Sequence, residues 1–188
     1  MAVVSHAEKW IFLAEPHTAS RACCSSLLKL GEDVRPHHVR PHQMDFSTEG
    51  YRLIAGCRNP YDVLITQWKR PSERNLPLDE FITGYWNHPS TLPYFANVAD
   101  QFVWYENLQE DMNLTFGHVE LDFDPKHKSE DKEDWWTYFD PQDFQRLAKR
   151  PDWKWYFKYF GYDIKLDGSC LINKPESRRP KSLRSWSQ

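Results

Sequence analysis

Glycine is scarce in this chain, which has only seven in 188 residues. The pattern G-x-x-x-x-G-K-S/T, whose backbone N–H groups hold nucleotide phosphates, is absent from the sequence. A kinase or another nucleotide-binding protein of the P-loop type is therefore disfavoured and is kept only as an alternative.

An excess of positive charge is also missing. Lys and Arg number 24 and Asp and Glu number 27, so the formal net charge is −3. Broad nucleic-acid binding needs a basic surface, so no nucleic-acid partner is expected. No apolar run approaches the ~18 residues of a membrane span. The first sixteen residues lack the basic start and apolar middle of a signal peptide. We therefore expect no membrane partner and a location in the cytoplasm, or in the host cytoplasm if the source is viral.

Paired cysteine motifs are absent too. The four cysteines, Cys23, Cys24, Cys57 and Cys170, form no C-x-x-C pair and no disulfide framework. We expect small buried thiols in a reducing compartment.

Strand and helix patterns alternate along most of the chain. Buried strands are predicted at residues 10–14, 52–57 and 101–106. Helices are predicted at residues 20–30, 60–69, 79–86, 107–117, 141–150 and 151–160. This order predicts an α/β fold with a parallel β-sheet flanked by helices. We expect one domain over residues 1–173, followed by a basic, flexible C-terminal tail over 174–188.

Two polar segments follow predicted strands and should border one crevice, because ligands bind at the C-terminal ends of parallel strands. In the first, a helix starting near Ser20 offers backbone N–H groups and the positive end of its dipole. Thr18 and Ser20 add hydroxyl donors, and His17 and Arg21 add charge. An anion is the natural ligand, although an ordinary strand-to-helix turn is the alternative.

The second segment begins with Arg58, just after a buried strand and at a helix start. Thr66 lies eight residues further on, about two helical turns away, so both side chains can address one phosphate. Arg suits that role through its planar, bidentate donors. A salt bridge from Arg58 to Asp62 is the alternative.

Residues 58–68, RNPYDVLITQW, resemble the 3′-phosphate-binding segment of sulfotransferases that use 3′-phosphoadenosine 5′-phosphosulfate (PAPS). Residues 16–20 are similar to that family's 5′-phosphosulfate loop, usually Pro-Lys-Thr followed by small residues, with His17 in the place of the lysine. Residues 103–108, VWYENL, and the aromatic segment that ends in FGYD at 160–163 resemble two further blocks of the family.

The resemblance implies a P-loop-like α/β fold and in-line transfer of a sulfuryl group from PAPS, the co-substrate, to a hydroxyl or amine. It implies no metal. The residues that would bind PAPS are His17, Thr18, Ala19, Ser20, Arg21, Ala22, Arg58 and Thr66. The acceptor is a small molecule or a glycan, and the sequence predicts no oligomeric state. A degenerate, non-catalytic anion-binding module on the same fold is the other alternative, because His17 replaces the lysine.

The acceptor's proton needs a base. Some carbohydrate sulfotransferases place a histidine in the region that corresponds to residues 37–42, HHVRPH. We favour His38 as the catalytic base, with His37 and His42 as alternates and Glu15 as a weaker candidate. His17 is expected to stabilise the leaving phosphate. His38 and His42 are also spaced for zinc on a helix, but Pro41 between them makes a regular helix there unfavourable.

Overall fold

The structure is a computed structural model that describes residues 2–35, 41–69, 76–87, 95–121 and 133–179. The chain divides into two compact units. The first contains the described residues of 2–58, 95–121 and 176–179, and the second contains those of 59–87 and 133–175. Within these ranges no helix has the length and apolar character that crossing a bilayer requires.

A five-stranded sheet forms the first unit. Its strands are β1 (Ala2–Ser5), β2 (Trp10–Leu13), β3 (Asp33–Arg35), β4 (Arg52–Cys57) and β5 (Gln101–Trp104). They lie in the order β3-β1-β2-β4-β5. Strands β2, β4 and β5 are parallel, whereas β1 is antiparallel to both β2 and β3.

The sheet is therefore mixed, and the prediction of a parallel sheet is correct only for β2, β4 and β5. The reason lies in the connection from β1 to β2, which is four residues long. A hairpin closes over so few residues, whereas a parallel crossover needs a dozen or more.

The described residues contain six α-helices beside these strands. They are α1 (Ser20–Leu27), α2 (Pro60–Trp68), α3 (Leu78–Asn87), α4 (Leu108–Phe116), α5 (Pro141–Ala148) and α6 (Pro151–Phe160). All six predicted helices are confirmed, with ends displaced by up to three residues. The capping residues explain several of these ends: Asn59 accepts a hydrogen bond from the Tyr61 N–H, and Asp140 accepts one from the Asp143 N–H.

Helices α1 and α4 pack on one face of the sheet in the first unit. Cys23, Cys24 and Leu27 of α1 and Met112 of α4 join apolar residues of β1, β2, β4 and β5 in one buried cluster. Burial raises the pKa of the Cys24 thiol to about 12 and raises that of Cys23 as well. Cys57 is also buried, so the prediction of buried thiols is confirmed for these three, whereas Cys170 is only half-buried.

The second unit is organised around Tyr61 of α2. Its ring stacks against Phe144 at 4.5 Å between centroids and against Trp135 at 5.2 Å, and it meets the edge of Trp153 at 4.7 Å. The Tyr61 hydroxyl donates to the Phe144 carbonyl oxygen at 2.9 Å. Burial raises the pKa of this phenol. Gly161 ends α6 in the left-handed region, and a hairpin of β6 (Tyr162–Ile164) and β7 (Cys170–Ile172) follows.

Glu32 closes the turn between β1 and β2. Its carboxylate accepts hydrogen bonds from the backbone N–H groups of His6 and Ala7 and from the Ser5 hydroxyl. The His6 N–H is the largest cause of a lowered pKa at Glu32. Because the folded state favours the charged form, this carboxylate stabilises the fold above its unfolded-state pKa of about 4.3.

Glu32→Gln should therefore lower the melting temperature at neutral pH. The difference from the wild type should shrink as the pH falls through the lowered pKa of Glu32, where the wild-type carboxylate also becomes neutral. Thermal unfolding followed by circular dichroism from pH 7 to about pH 3 measures this. Glu49→Gln makes the same charge change at an exposed position of the first unit and is the control. A difference for Glu32→Gln that stays constant with pH would contradict the assignment.

Candidate anion-binding site

The loop between β2 and α1 has a strained backbone. His17 has a φ of 64° and Ala19 a φ of 54°, both in the left-handed region that favours glycine. Such a conformation costs a non-glycine residue about 1–2 kcal/mol. Strain of this kind persists only where the surroundings hold it, and it is frequent at functional sites.

The same backbone shares one feature with anion-binding concavities. The φ angle is positive at His17 and Ala19 but not at Thr18 between them, so the hand of the backbone alternates. Alternation of this kind turns successive N–H groups toward one side. Ala19 is the N-cap of α1 and has no side-chain acceptor for the first N–H groups of the helix. The loop therefore lies at the positive end of the α1 dipole and has a backbone of the kind that orients N–H groups toward one side.

Buried contacts hold the loop in place. The Thr18 hydroxyl donates to the Glu15 carbonyl oxygen at 2.9 Å, and the Glu15 carboxylate accepts the Phe95 N–H at 2.9 Å. Both side chains are buried. Gly56 of β4 lies directly under Thr18, and a Cβ at that position would lie 2.8 Å from the Thr18 Cβ. Glycine at residue 56 thus allows the loop to approach the central strand.

Arg58 joins the end of β4 to this loop. Its guanidinium Nη1 donates to the His17 carbonyl oxygen at 2.8 Å, and its Cζ lies 3.8 Å from the centroid of the Tyr105 ring. The side chain is only 8% exposed. The prediction that these two segments lie together is confirmed, because the loop after β2 and the arginine after β4 meet at the same edge of the sheet.

The remaining residues predicted to bind PAPS lie on helices. Ser20 and Arg21 form the first turn of α1, with Ser20 half-buried and Arg21 exposed, and Ala22 is buried behind them. Thr66 belongs to the second unit, where its hydroxyl donates to the Asp62 carbonyl oxygen at 2.8 Å, one turn earlier in α2. The Thr18 hydroxyl proton is likewise directed at a backbone oxygen, so the structure shows it closing the loop.

The predicted catalytic histidines fall in two groups. His37 and His38 lie outside the described residues. His42 is exposed in a 3₁₀ turn, Pro41–Gln43, and the described residues 41–50 contain no α-helix. Among the described residues, no group of three or more His, Cys, Asp or Glu side chains is placed to hold a metal ion.

Two residues of this site were missed by sequence reasoning. A glycine inside a buried strand, such as Gly56, signals a close approach of another segment. Tyr105 follows directly after β5, as Arg58 follows β4. Because β4 and β5 pair in parallel, the residues that follow them lie side by side, and this matched position could have located Tyr105 once the pairing was known.

Comparisons of the chain with protein-family models, with curated proteins and with solved structures find no match.

Gly56→Ala should destabilise the protein by about 1–3 kcal/mol, because the added methyl group meets a buried Thr18. Thr18→Ala alone should cost about 1 kcal/mol through loss of the hydrogen bond to Glu15. Thr18→Ala also removes the hydroxyl that obstructs the new methyl group. The free energy of unfolding of the double variant should therefore fall by at least about 0.5 kcal/mol less than the sum of the two single losses. Urea denaturation measures all three variants. Strictly additive losses would show that the Thr18 hydroxyl does not obstruct the new methyl group.

Proposed function

We propose that this protein is a sulfotransferase that moves a sulfuryl group from PAPS to a hydroxyl or amine of a small molecule or glycan. The observation that carries the proposal is the glycine-free loop with two left-handed residues, held by Arg58 at the edge of the parallel strands. This arrangement suits a dianionic group, and the resemblance of residues 58–68 to the family's 3′-phosphate segment supports PAPS as its source. We further propose a P-loop-like sulfotransferase fold, which the order β2, loop, α1 supports.

The loop would hold the 5′-phosphosulfate. Backbone N–H groups of residues 18–22 and the α1 dipole favour negative charge there. Ser20 and Arg21, on the first turn of α1, add a hydroxyl donor and a cation. Arg58, which resembles the family's 3′-phosphate residue, is proposed to bind the second phosphate.

The reaction would be an in-line displacement at sulfur. The acceptor oxygen or nitrogen forms a bond to sulfur while the bond from sulfur to the bridging oxygen breaks. The electron pair of that bond stays on the bridging oxygen, and adenosine 3′,5′-bisphosphate leaves. The acceptor's proton goes to a base, for which His38 is proposed, with His37 and His42 as alternates. Glu15 is less suited, because its buried carboxylate already accepts the Phe95 N–H.

His17 would stabilise the negative charge that builds on the bridging oxygen. Lysine would bring a permanent cation to this position, whereas histidine is a cation only when protonated. Positioning and charge stabilisation carry most of the catalysis in transfers of this kind.

Incubation of the full chain with radiolabelled PAPS and a panel of hydroxyl and amine acceptors tests the proposal. Transfer of the label to an acceptor is expected. Calorimetry with adenosine 3′,5′-bisphosphate and with ATP separates the alternatives. Tight binding of the bisphosphate without any transfer would favour the non-catalytic module, to which the replacement of lysine by His17 also points. Binding of ATP alone would favour a kinase.

Substitution of His17 tests its role in the reaction. His17→Ala should lower turnover by ~10²–10³, the effect of removing one transition-state donor. Because the charges of the bound phosphosulfate should favour the protonated imidazole, we expect the wild type to lose turnover only as the pH rises above neutral, and His17→Lys to be active without this alkaline decline. Turnover measured from pH 6 to 9 checks both, and thermal unfolding confirms that the variants are folded. Full activity in His17→Ala would show that residue 17 only shapes the loop.

A further inference from the structure

Tyr105 stands opposite Arg58 at the edge of the sheet. Strands β4 and β5 pair in parallel with Cys57 beside Trp104, so Arg58 and Tyr105 are the next residues beyond the two strand ends. Tyr105 begins a 3₁₀ turn, is half-buried and packs against the apolar cluster of the first unit. Tyr105 thus contacts both the core cluster and the guanidinium of Arg58.

The contact between the two side chains is a cation–π interaction. The distance of 3.8 Å from the Arg58 Cζ to the ring centroid is that of direct contact with the ring face. Arg58 is almost fully buried, and removal of water strengthens such contacts. The ring therefore restricts the orientation of the guanidinium.

That orientation directs Nη1 at the His17 carbonyl oxygen, 2.8 Å away. The carbonyl belongs to the peptide unit between His17 and Thr18. In a trans peptide the C=O and N–H groups point in opposite directions, so fixing this carbonyl toward Arg58 turns the Thr18 N–H away from it. The same hydrogen bond helps to hold His17 in its left-handed conformation.

We propose that Tyr105 is a positioning residue for the loop: through Arg58 it fixes the peptide unit after His17, and thereby prepares the N–H groups of residues 18–20 for the phosphosulfate. The inference rests on the proposed function for its ligand. Its structural part, the control of the loop by Tyr105, is independent of which anion binds.

Three variants separate this role from general stability. Tyr105→Phe keeps the ring and removes the hydroxyl. Tyr105→Leu removes the ring. Phe116→Leu makes the same change from aromatic to aliphatic at another half-buried residue of the same cluster, where Phe116 contacts Trp10 and Phe12, and is the matched control.

Three quantities are measured on the ¹⁵N-labelled full chain. The amide signals of residues 17–20 in nuclear magnetic resonance spectra should shift, and their hydrogen exchange should accelerate, in Tyr105→Leu but not in Tyr105→Phe or Phe116→Leu. The dissociation constant for adenosine 3′,5′-bisphosphate should rise about threefold to thirtyfold in Tyr105→Leu and stay within about twofold in the other two, in keeping with the range of cation–π energies.

Arg58→Gln completes the test. Because Tyr105 acts through Arg58, adding Tyr105→Leu to Arg58→Gln should change neither the amide signals nor the affinity further. Unchanged loop signals in Tyr105→Leu, or an equal effect of that substitution with and without Arg58, would overturn the inference. Failure of the wild type to bind the bisphosphate would instead contradict the proposed function, and the amide signals would still decide the role of Tyr105.

Discussion

The parallel pairing of β4 between β2 and β5 is the interaction on which the candidate site depends. The pairing places Leu13 beside Ala55 and Cys57 beside Trp104, so the three strands end close together. Each strand is followed by a residue or loop that the site uses: the loop at 14–19, Arg58 and Tyr105. These groups are far apart in sequence, and the hydrogen bonds of the sheet bring them to one edge. Side-chain contacts then refine an arrangement that the backbone has already set.

The loop shows how a strained conformation is retained. Two left-handed residues without glycine together cost about 2–4 kcal/mol. A charge-assisted hydrogen bond from Arg58 to His17 contributes about 1.5–3 kcal/mol, and the buried bond from Thr18 to Glu15 about 1 kcal/mol more. Strain and support are thus of similar size. The conformation exists because β4 supplies both Arg58 and the space above Gly56.

The sequence predicted the parts of this fold that local signals encode. Capping by Asn59 and Asp140, and Pro60 and Pro141 at the first helical positions, located two helix starts correctly. Hydrophobic runs located β2, β4 and β5. The antiparallel strand β1 was missed because AVVS is a short run of only four residues, and whether its neighbour is parallel or antiparallel depends on pairing that no local pattern specifies.

The same distinction between local signals and tertiary contacts applies to the candidate site. The meeting of the loop with Arg58 could be predicted, since it follows from the rule for the ends of parallel strands. The contacts that give Arg58 its direction could not, because the 3.8 Å approach of Tyr105 and the hydrogen bond to the His17 carbonyl depend on register and side-chain conformation.

Residue 17 has two requirements, one from its backbone and one from its side chain. Asn, Asp and His are the non-glycine residues most enriched in left-handed backbone. Of these three, only histidine can carry a positive charge. Glycine would relax the loop but has no side chain. Lysine would bring a charge, but it is disfavoured in a left-handed backbone. In a loop without glycine, histidine is thus the residue type that combines this φ angle of 64° with a switchable cation.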